Sequence, residues 1–286
     1  MIQLARFLGF LSILGLAAGS PAGVAQDAAK PGKADGAIPV EETYKPVPFM
    51  PGRDVVWVPT PDVLVESMLD LAKLTPEDVA VDLGSGDGRM VIAAALRGAT
   101  ARGIEFNPDM VKLAQQRAAK AGVADRATFV EDNMFEADFS DATVMPLFLL
   151  PENLNPLVPK FLNLKAGSRI VINEYRMDEW EPDRTVKIGG DCGRWCVAHL
   201  YVVPAKVNGL WRLEDGRELR LNQTFQTVLG SMSERGQAFP IENARLDGPM
   251  LHFLLNGKTY SGRVDGETIT GQVEGEPKSS WRAKRL

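Results

Sequence analysis

Two patterns predict a doubly wound, mostly parallel α/β sheet followed by a small antiparallel β-rich domain. From Val56 to about Tyr201, apolar strand-like runs alternate with helical periodicities at the spacing of β-α units. After Asn208 the chain changes to short segments of alternating apolar and polar residues, broken by Asp247-Gly248, Asn256-Gly257 and Asp265-Gly266, the signature of tight antiparallel turns. A length of 286 residues suits two domains better than one or three. We place them at residues 49–205 and 206–286, behind a leader (1–25) and a linker (26–48).

Composition narrows the possibilities further. With 45% hydrophobic and 24% charged residues the chain is of ordinary globular type. Its acidic excess lies before Ala205 and the remainder is only slightly basic, so neither part offers the strongly basic face that nucleic acid demands. Met1 to Arg6 is a weakly basic start, Phe7 to Gly19 is apolar, and Gly23-Val24-Ala25 supplies small residues, which together fit a secretory signal cut before Gln26. That apolar run is shorter than the roughly 20 residues needed to cross a bilayer, so an uncleaved anchor is the lesser reading. The expected location is therefore outside the cytoplasm, in the periplasm or envelope. The stretch after the cut, rich in Pro, Ala, Gly and charge, reads as a flexible tether.

The elements follow in order. In "WVPTPDVLVESMLDLAKL", Thr60 is expected to cap a helix with Pro61 at its first position and Val63, Leu64, Met68, Leu69 and Leu71 on one face. "DVAVDLG" alternates too little for a half-solvated strand and reads as a buried parallel one. A glycine loop and an Ala-rich helix ending near Gly98 come next. "TARGIEFNP" is a second strand, and Asn107-Pro108 caps a helix through Ala119. "ATFVEDNMFE", "DATVMPLFLL" and "GSRIVINEY" are three more strands, with a helix over "NLNPLVPKFLNLK" between the last two.

Ligands of such sheets sit at the carboxyl ends of the strands, where the loop Gly84-Ser85-Gly86-Asp87-Gly88-Arg89 falls. It departs from the dinucleotide fingerprint G-x-G-x-x-G, because its third glycine comes one place early. Asp82 and Asp87 would also set negative charge against a pyrophosphate. A ligand with an adenosine and a cationic head fits better. The glycines let the nucleoside approach the backbone, and an acid ending the first strand can hold an ammonium group. S-adenosylmethionine has that ammonium and a sulfonium besides. Glu105 ends the second strand, where an acid accepts ribose hydroxyls. Asp132 ends the third, within reach of an adenine amino group, with Asn133 or Met134 over the ring. Each acid alone is equally an exposed strand end or a helix cap; three on successive strand ends carry the argument.

"VDLGSGDGR", "GIEFNPDMVKLAQQRA" and the segment from Phe129 to Met177 together resemble the class I, seven-strand S-adenosylmethionine methyltransferases, with their Rossmann-like sheet, over about Pro59 to Met177. Val58-Pro59-Thr60-Pro61, the glycine loop and Leu149-Leu150-Pro151-Glu152-Asn153 are similar to the small lysine methyltransferases of the ATP synthase c-ring and adenine nucleotide translocase type and their bacterial relatives. The resemblance implies cofactor contact by Asp82, Gly84, Gly86, Glu105 and Asp132, and makes Thr60, Ser85, Asp87 and Asn133 further candidates. It implies an acceptor near Pro151 to Asn153. A leader and a β-rich tail are not part of the eukaryotic pattern, so the substrates are not carried over.

Methyl transfer is an in-line displacement needing alignment of a neutral nucleophile and exclusion of water, without metal or covalent intermediate. For a lysine acceptor, a low-polarity channel favours loss of the ammonium proton. Glu152 and Asn153 are then candidates to orient the amine and Tyr175 to form a wall. Equally, Glu152 simply stands in the first turn of a helix begun by Pro151. Cys192 and Cys196, around a hairpin leading to the last strand of the sheet, suit a short-loop disulfide outside the cytoplasm as well as free thiols. Together with His199 they match no standard zinc spacing. His199 and His252 read as packed strand residues.

In the β-rich tail, Gly209-Leu210-Trp211 and Trp281-Arg282 resemble the closing signature of lipocalin-like barrels, in which a basic side chain packs on tryptophan. Core packing is the preferred reading of both tryptophans, and about 80 residues suggest a small or incomplete barrel. The sequence thus predicts a methyltransferase acting on a protein or peptide side chain, with lysine as the candidate acceptor; a small-molecule methyltransferase is an alternative within the same enzyme class. The contrasting reading is a non-catalytic envelope module that keeps the fold, motivated by the inability of a charged, cytoplasm-made cofactor to cross a bilayer unaided.

Overall fold

The computed structural model describes residues 44–52, 56–274 and 279–286. The leader and most of the linker lie outside the described residues. The first layer of structure is helix α1 (Asp62–Leu71), which buries Leu64, Val65, Met68 and Leu69. It starts one residue later than expected, and no side chain caps it. Pro61 takes the capping position in an extended conformation, and the Thr60 carbonyl instead accepts a hydrogen bond from Arg89 at 2.7 Å.

The chain then builds β1 (Val79–Leu83), α2 (Arg89–Leu96), β2 (Thr100–Glu105), α3 (Pro108–Lys120), β3 (Ala127–Glu131), β4 (Val144–Leu147), α4 (Pro151–Phe161), β5 (Arg169–Asn173), β6 (Arg184–Lys187) and β7 (Val197–Val202). Their sheet has the order β3-β2-β1-β4-β5-β7-β6. β1 to β5 pair in parallel, while β7 runs antiparallel to β5 and to β6. The central parallel strands β1, β4 and β5 are buried on both faces, as their unbroken apolar runs demand, while β3 at the edge alternates between buried and exposed residues. Asn107 caps α3 by accepting from the Asp109 and Met110 amides. The ladder between β1 and β4 is limited to Ala80 opposite Val144; Pro146, lacking an N–H, follows two residues on. α4 stays helical through Pro156 and Pro159, each a missing donor, because Leu154, Leu157 and Phe161 bury one face against the sheet.

Strand order reverses between β1 and β4, whose carboxyl ends diverge into a crevice. Antiparallel β8 (Gly209–Leu213), β9 (Glu218–Thr224), β10 (Thr227–Glu234), β11 (Gln237–Pro240), β12 (Glu242–Asp247), β13 (Met250–Leu255), β14 (Lys258–Asp265), β15 (Thr268–Val273) and β16 (Ser280–Arg285) follow. Around this sheet β16 pairs with β8, and β11 and β12 share one edge of β10 as a single strand interrupted at Ile241. The sheet is therefore closed, an eight-position barrel rather than an incomplete one. It fits into so few residues because its strands are only four to eight residues long.

The barrel interior is filled with side chains, including Trp211, Leu219, Leu251, Phe253, Ile269 and Trp281. A Cβ on Gly262 would come within 2.5 Å of the Trp281 ring, so that glycine makes room for the indole. The basic partner of Trp211 is Arg285, 4.3 Å from the ring centroid, and not Arg282. Trp211 is also fully buried, so it is a core residue and a stacking platform at once. His252 is exposed on β13 and not packed, because the alternation places Leu251 and Phe253 inside.

The barrel packs on the segment between β5 and β6. Trp180 and Phe225 stack at 5.6 Å, the Gln226 side chain donates to the Glu181 carbonyl at 2.7 Å, and Arg245 pairs with Asp183 at 2.5 Å.

Candidate cofactor site and acceptor side

The crevice is a cavity of about 420 Å³ at the carboxyl ends of β1, β2 and β4. All nine candidate cofactor residues line it: Thr60, Asp82, Gly84, Ser85, Gly86, Asp87, Glu105, Asp132 and Asn133. The loop after β1 is tied to β2 by the Gly84 and Ser85 amides, both donating to the Ile104 carbonyl. Its shape depends on glycine at two points. Gly86 has φ +54°, and a Cβ there would sit 2.6 Å from Trp57 Nε1, so the indole lies directly on the loop. Gly88 has φ +81° at the start of α2, with Phe129 and Ala114 within 2.8 Å of where a Cβ would be.

The four acids differ in how far their charge is already spent. Asp82 is buried, and among the described residues no basic side chain pairs with it. Burial, followed by the charges of Glu105 and Asp87, pushes its carboxyl well above the usual range. Such a group stabilises a cation brought to it. Asp87 is different. Burial pushes its carboxyl up, but hydrogen bonds and charge from Arg89 and the charge of Arg117 outweigh this and hold it below the usual range. Arg89 contacts both its oxygens, at 3.0 and 2.6 Å, and Arg117 approaches to 2.5 Å. The expected pair of free negative charges in the loop is thus a single one, with Asp87 serving to fix the loop to α2 and α3.

Glu105 accepts the Gly86 amide on one oxygen and the Asn107 amide on the other, each at 2.9 Å. Each oxygen keeps a second lone pair for a hydroxyl in the cavity. Asp132 lies one residue beyond β3 and is exposed, with one oxygen taken by the Asn133 amide. The Asn133 side chain is committed to its own turn, accepting from Phe135 and donating to Glu136, which leaves Met134 as the apolar contact. Ser85 Oγ is buried without a partner. An uncompensated acid, an orphaned hydroxyl and a glycine floor fit an adenosyl ligand bearing an ammonium group.

The acceptor-side candidates do not line the cavity. Glu152 is exposed on the first turn of α4, where it suits the helix dipole, and is not among the residues lining the crevice. Asn153 is buried and its Oδ1 has no hydrogen-bond partner. Tyr175 stacks at 6.1 Å on Phe148, which does line the cavity. Sequence reasoning missed Asn173, wholly buried at the end of β5 with both amide atoms unpartnered, and Glu174, a non-glycine residue at φ +61° with Oε2 buried and unpartnered. Non-glycine backbone in this region marks functional sites often enough to direct attention there. A polar residue ending an otherwise apolar strand was the available signal. Cys192 and Cys196 are joined in a disulfide. His199 is buried between Thr185 and the Glu174 carbonyl, and burial lowers its pKa.

A doubly wound sheet with an antiparallel β7 and an acid-lined crevice at β1 and β2 defines an S-adenosylmethionine-dependent methyltransferase of class I. Residues 82–184 match the family described as the ANTKMT methyltransferase domain. A protein-lysine N-methyltransferase of Saccharolobus islandicus is 39% identical over 152 residues, 52% of this chain and 94% of that protein. The Mus musculus lysine N-methyltransferase named for the C subunit of ATP synthase is 38% identical over 39% of this chain, and the adenine nucleotide translocase lysine N-methyltransferase of the same species 35% identical over 44%. The chain spans about half the length of these two, 45% and 56%. A crystal structure of an RNA methyltransferase from Salinibacter ruber with S-adenosyl-L-homocysteine is 44% identical, covering 52% of this chain and 96% of that one, with a TM-score of 0.49. The chain belongs to this methyltransferase family, and its cofactor is S-adenosylmethionine.

Proposed function

We propose that the protein methylates the side-chain amine of lysine in a protein substrate and that it does so outside the cytoplasm. The observation that carries the lysine reading is the 39% identity to a protein-lysine N-methyltransferase nearly all of whose length is matched. Supporting it, Asn153 Oδ1 on α4 and the Asn173 amide at the end of β5 are buried and unsatisfied, and a buried polar group left unpaired costs about 1–3 kcal/mol unless a ligand completes it. An amine N–H meets that need at the two amide oxygens.

The bound cofactor supplies an electrophilic methyl group. Asp82 would hold its ammonium, Glu105 its ribose and Asp132 with Met134 its adenine. On the acceptor side the unpartnered amide oxygens of Asn153 and Asn173 would accept N–H bonds from an amine that reaches them. Phe148 and Tyr175 keep water from the reacting nitrogen. Export is supported by the disulfide, since such bonds persist in oxidising compartments, and by the leader-like start.

Purified protein with methyl-labelled cofactor and envelope fractions is expected to label protein, with methyl-lysine recovered after hydrolysis. Label found only in lipid or small molecules, or on another residue, overturns the lysine reading. An amino terminus at Gln26 in protein from the cell envelope is the expected mark of export; intact Met1 in a cytosolic fraction refutes it.

A further inference from the structure

Beyond the cavity, Phe148 is one wall of a larger aromatic group. Tyr175 stacks on it, and Trp195 meets its ring edge-on at 5.9 Å with an interplanar angle of 63°. Phe49 lies 6.4 Å from Trp195, tilted by 42°. Phe148, Tyr175 and Trp195 come from three separate places: the residue after β4, the residue beyond Glu174, and the hairpin between β6 and β7. All three are only half-buried, Phe148 and Tyr175 packing in part against the cores on either side of the sheet. Trp195 directly precedes Cys196, and the disulfide to Cys192 closes the loop that presents it, with the Ile188 amide bonded to the Cys196 carbonyl at 2.7 Å. Glu174, with its buried unpartnered Oε2, stands next to Tyr175.

We infer that Phe148, Tyr175 and Trp195 form a cation-selecting vestibule for the acceptor's alkylammonium and its methylated product, and that the Cys192–Cys196 disulfide is what holds Trp195 in it. Aromatic faces attract alkylammonium groups through the ring quadrupole, and more so when water is excluded. A short covalent tether removes most of the freedom such a loop would otherwise lose on binding. The inference rests on the lysine reading for its physiological ligand, but the recognition chemistry is testable separately.

The probe is N-acetyl-trimethyllysine methylamide, compared with its neutral carbon isostere, in calorimetry on full-length protein saturated with S-adenosylhomocysteine. We expect the cationic probe to bind at least about tenfold more tightly than the neutral one. Trp195→Ala and the double variant Cys192→Ser, Cys196→Ser should lose most of that preference while keeping cofactor affinity; Trp195→Phe should retain most of it. Equal affinity for the two probes in the unaltered protein, or a preference that survives Trp195→Ala, overturns the inference. Lysine methylation without the cation preference sinks the vestibule alone. A clear preference in a protein that methylates no lysine sinks the lysine reading and leaves the vestibule standing.

Discussion

Replacing Asp82 with asparagine should move cofactor affinity and apo stability in opposite directions. The carboxylate is buried, faces Glu105 and Asp87, and has no basic partner among the described residues. Its pKa is raised in the folded chain, so the native state binds a proton that the unfolded state releases between the ordinary carboxylate range and the raised value. Stability therefore falls as pH rises through that window and stays low above it. The Asp82→Asn side chain carries no charge, so the apo variant should melt above the parent at neutral pH, with the gap closing near about pH 4. Each kcal/mol of relief corresponds to about 2–4 °C in a chain of this size. Binding goes the other way, because a hydrogen bond to a charged group contributes about 1.5–3 kcal/mol. Its loss weakens binding by about 10- to 150-fold. S-adenosylhomocysteine, which keeps the ammonium and lacks the sulfonium, should suffer the same loss in calorimetry. Affinity unchanged from the parent, or an apo variant that melts lower at neutral pH, would refute the assignment of Asp82 as the ammonium's counter-charge.

Three further substitutions probe the surroundings. Gly86→Ala puts a methyl 2.6 Å from Trp57 Nε1 on a left-handed backbone; calorimetry should show cofactor binding weakened at least about tenfold, with backbone strain of about 1–2 kcal/mol in thermal melts, and Trp57→Ala should restore part of the affinity. Arg89→Ala strips the bidentate partner from buried Asp87 and should cost about 2–4 kcal/mol in urea unfolding, somewhat less than a fully broken buried pair because Arg117 remains. Since Asp87 is held below its ordinary range, the parent keeps this stability above about pH 4 and loses it on acidification; in Arg89→Ala that acid-induced loss should begin at higher pH. Arg285→Ala removes the stack on Trp211, hydrogen bonds to the Asn208 and Lys206 carbonyls at 2.5 Å, and an ion pair with Glu267. Together these should cost about 2–4 kcal/mol in the barrel and leave cofactor affinity unchanged, since none of them touches the crevice.

What could be read from the sequence was whatever is encoded locally. The parallel strands announce themselves by apolar runs, α3 by Asn107-Pro108, and the cofactor crevice by acids at strand ends, because a ligand that spans adjacent parallel strands samples the same position of each. The helix start at Thr60 was misplaced because proline at 61 fits both the capping position and the first turn. Barrel closure was illegible for another reason: β16 pairs with β8 across roughly 70 residues of chain, and no local signal states which edge meets which. The same separation disguised the stacking partner of Trp211. Arg282 and Arg285 both belong to β16, and only the register decides that the second of them lies over the ring.

The acceptor side was legible least, and the cause lies in how the two halves of the site are made. Nearly every proposed cofactor contact comes from a strand end or the turn after it, so its neighbours in space are close to its neighbours in sequence. The acceptor side as proposed joins a residue after β4, two side chains at the β5 terminus, a buried position on α4 and a tryptophan in a disulfide-closed hairpin, none marked by a shared pattern. Relatives with different substrates can share the first half while the second diverges freely, since nothing about holding the adenosyl group constrains the hairpin between β6 and β7. Substituting that hairpin should therefore alter which amine is accepted without altering how tightly the cofactor is held.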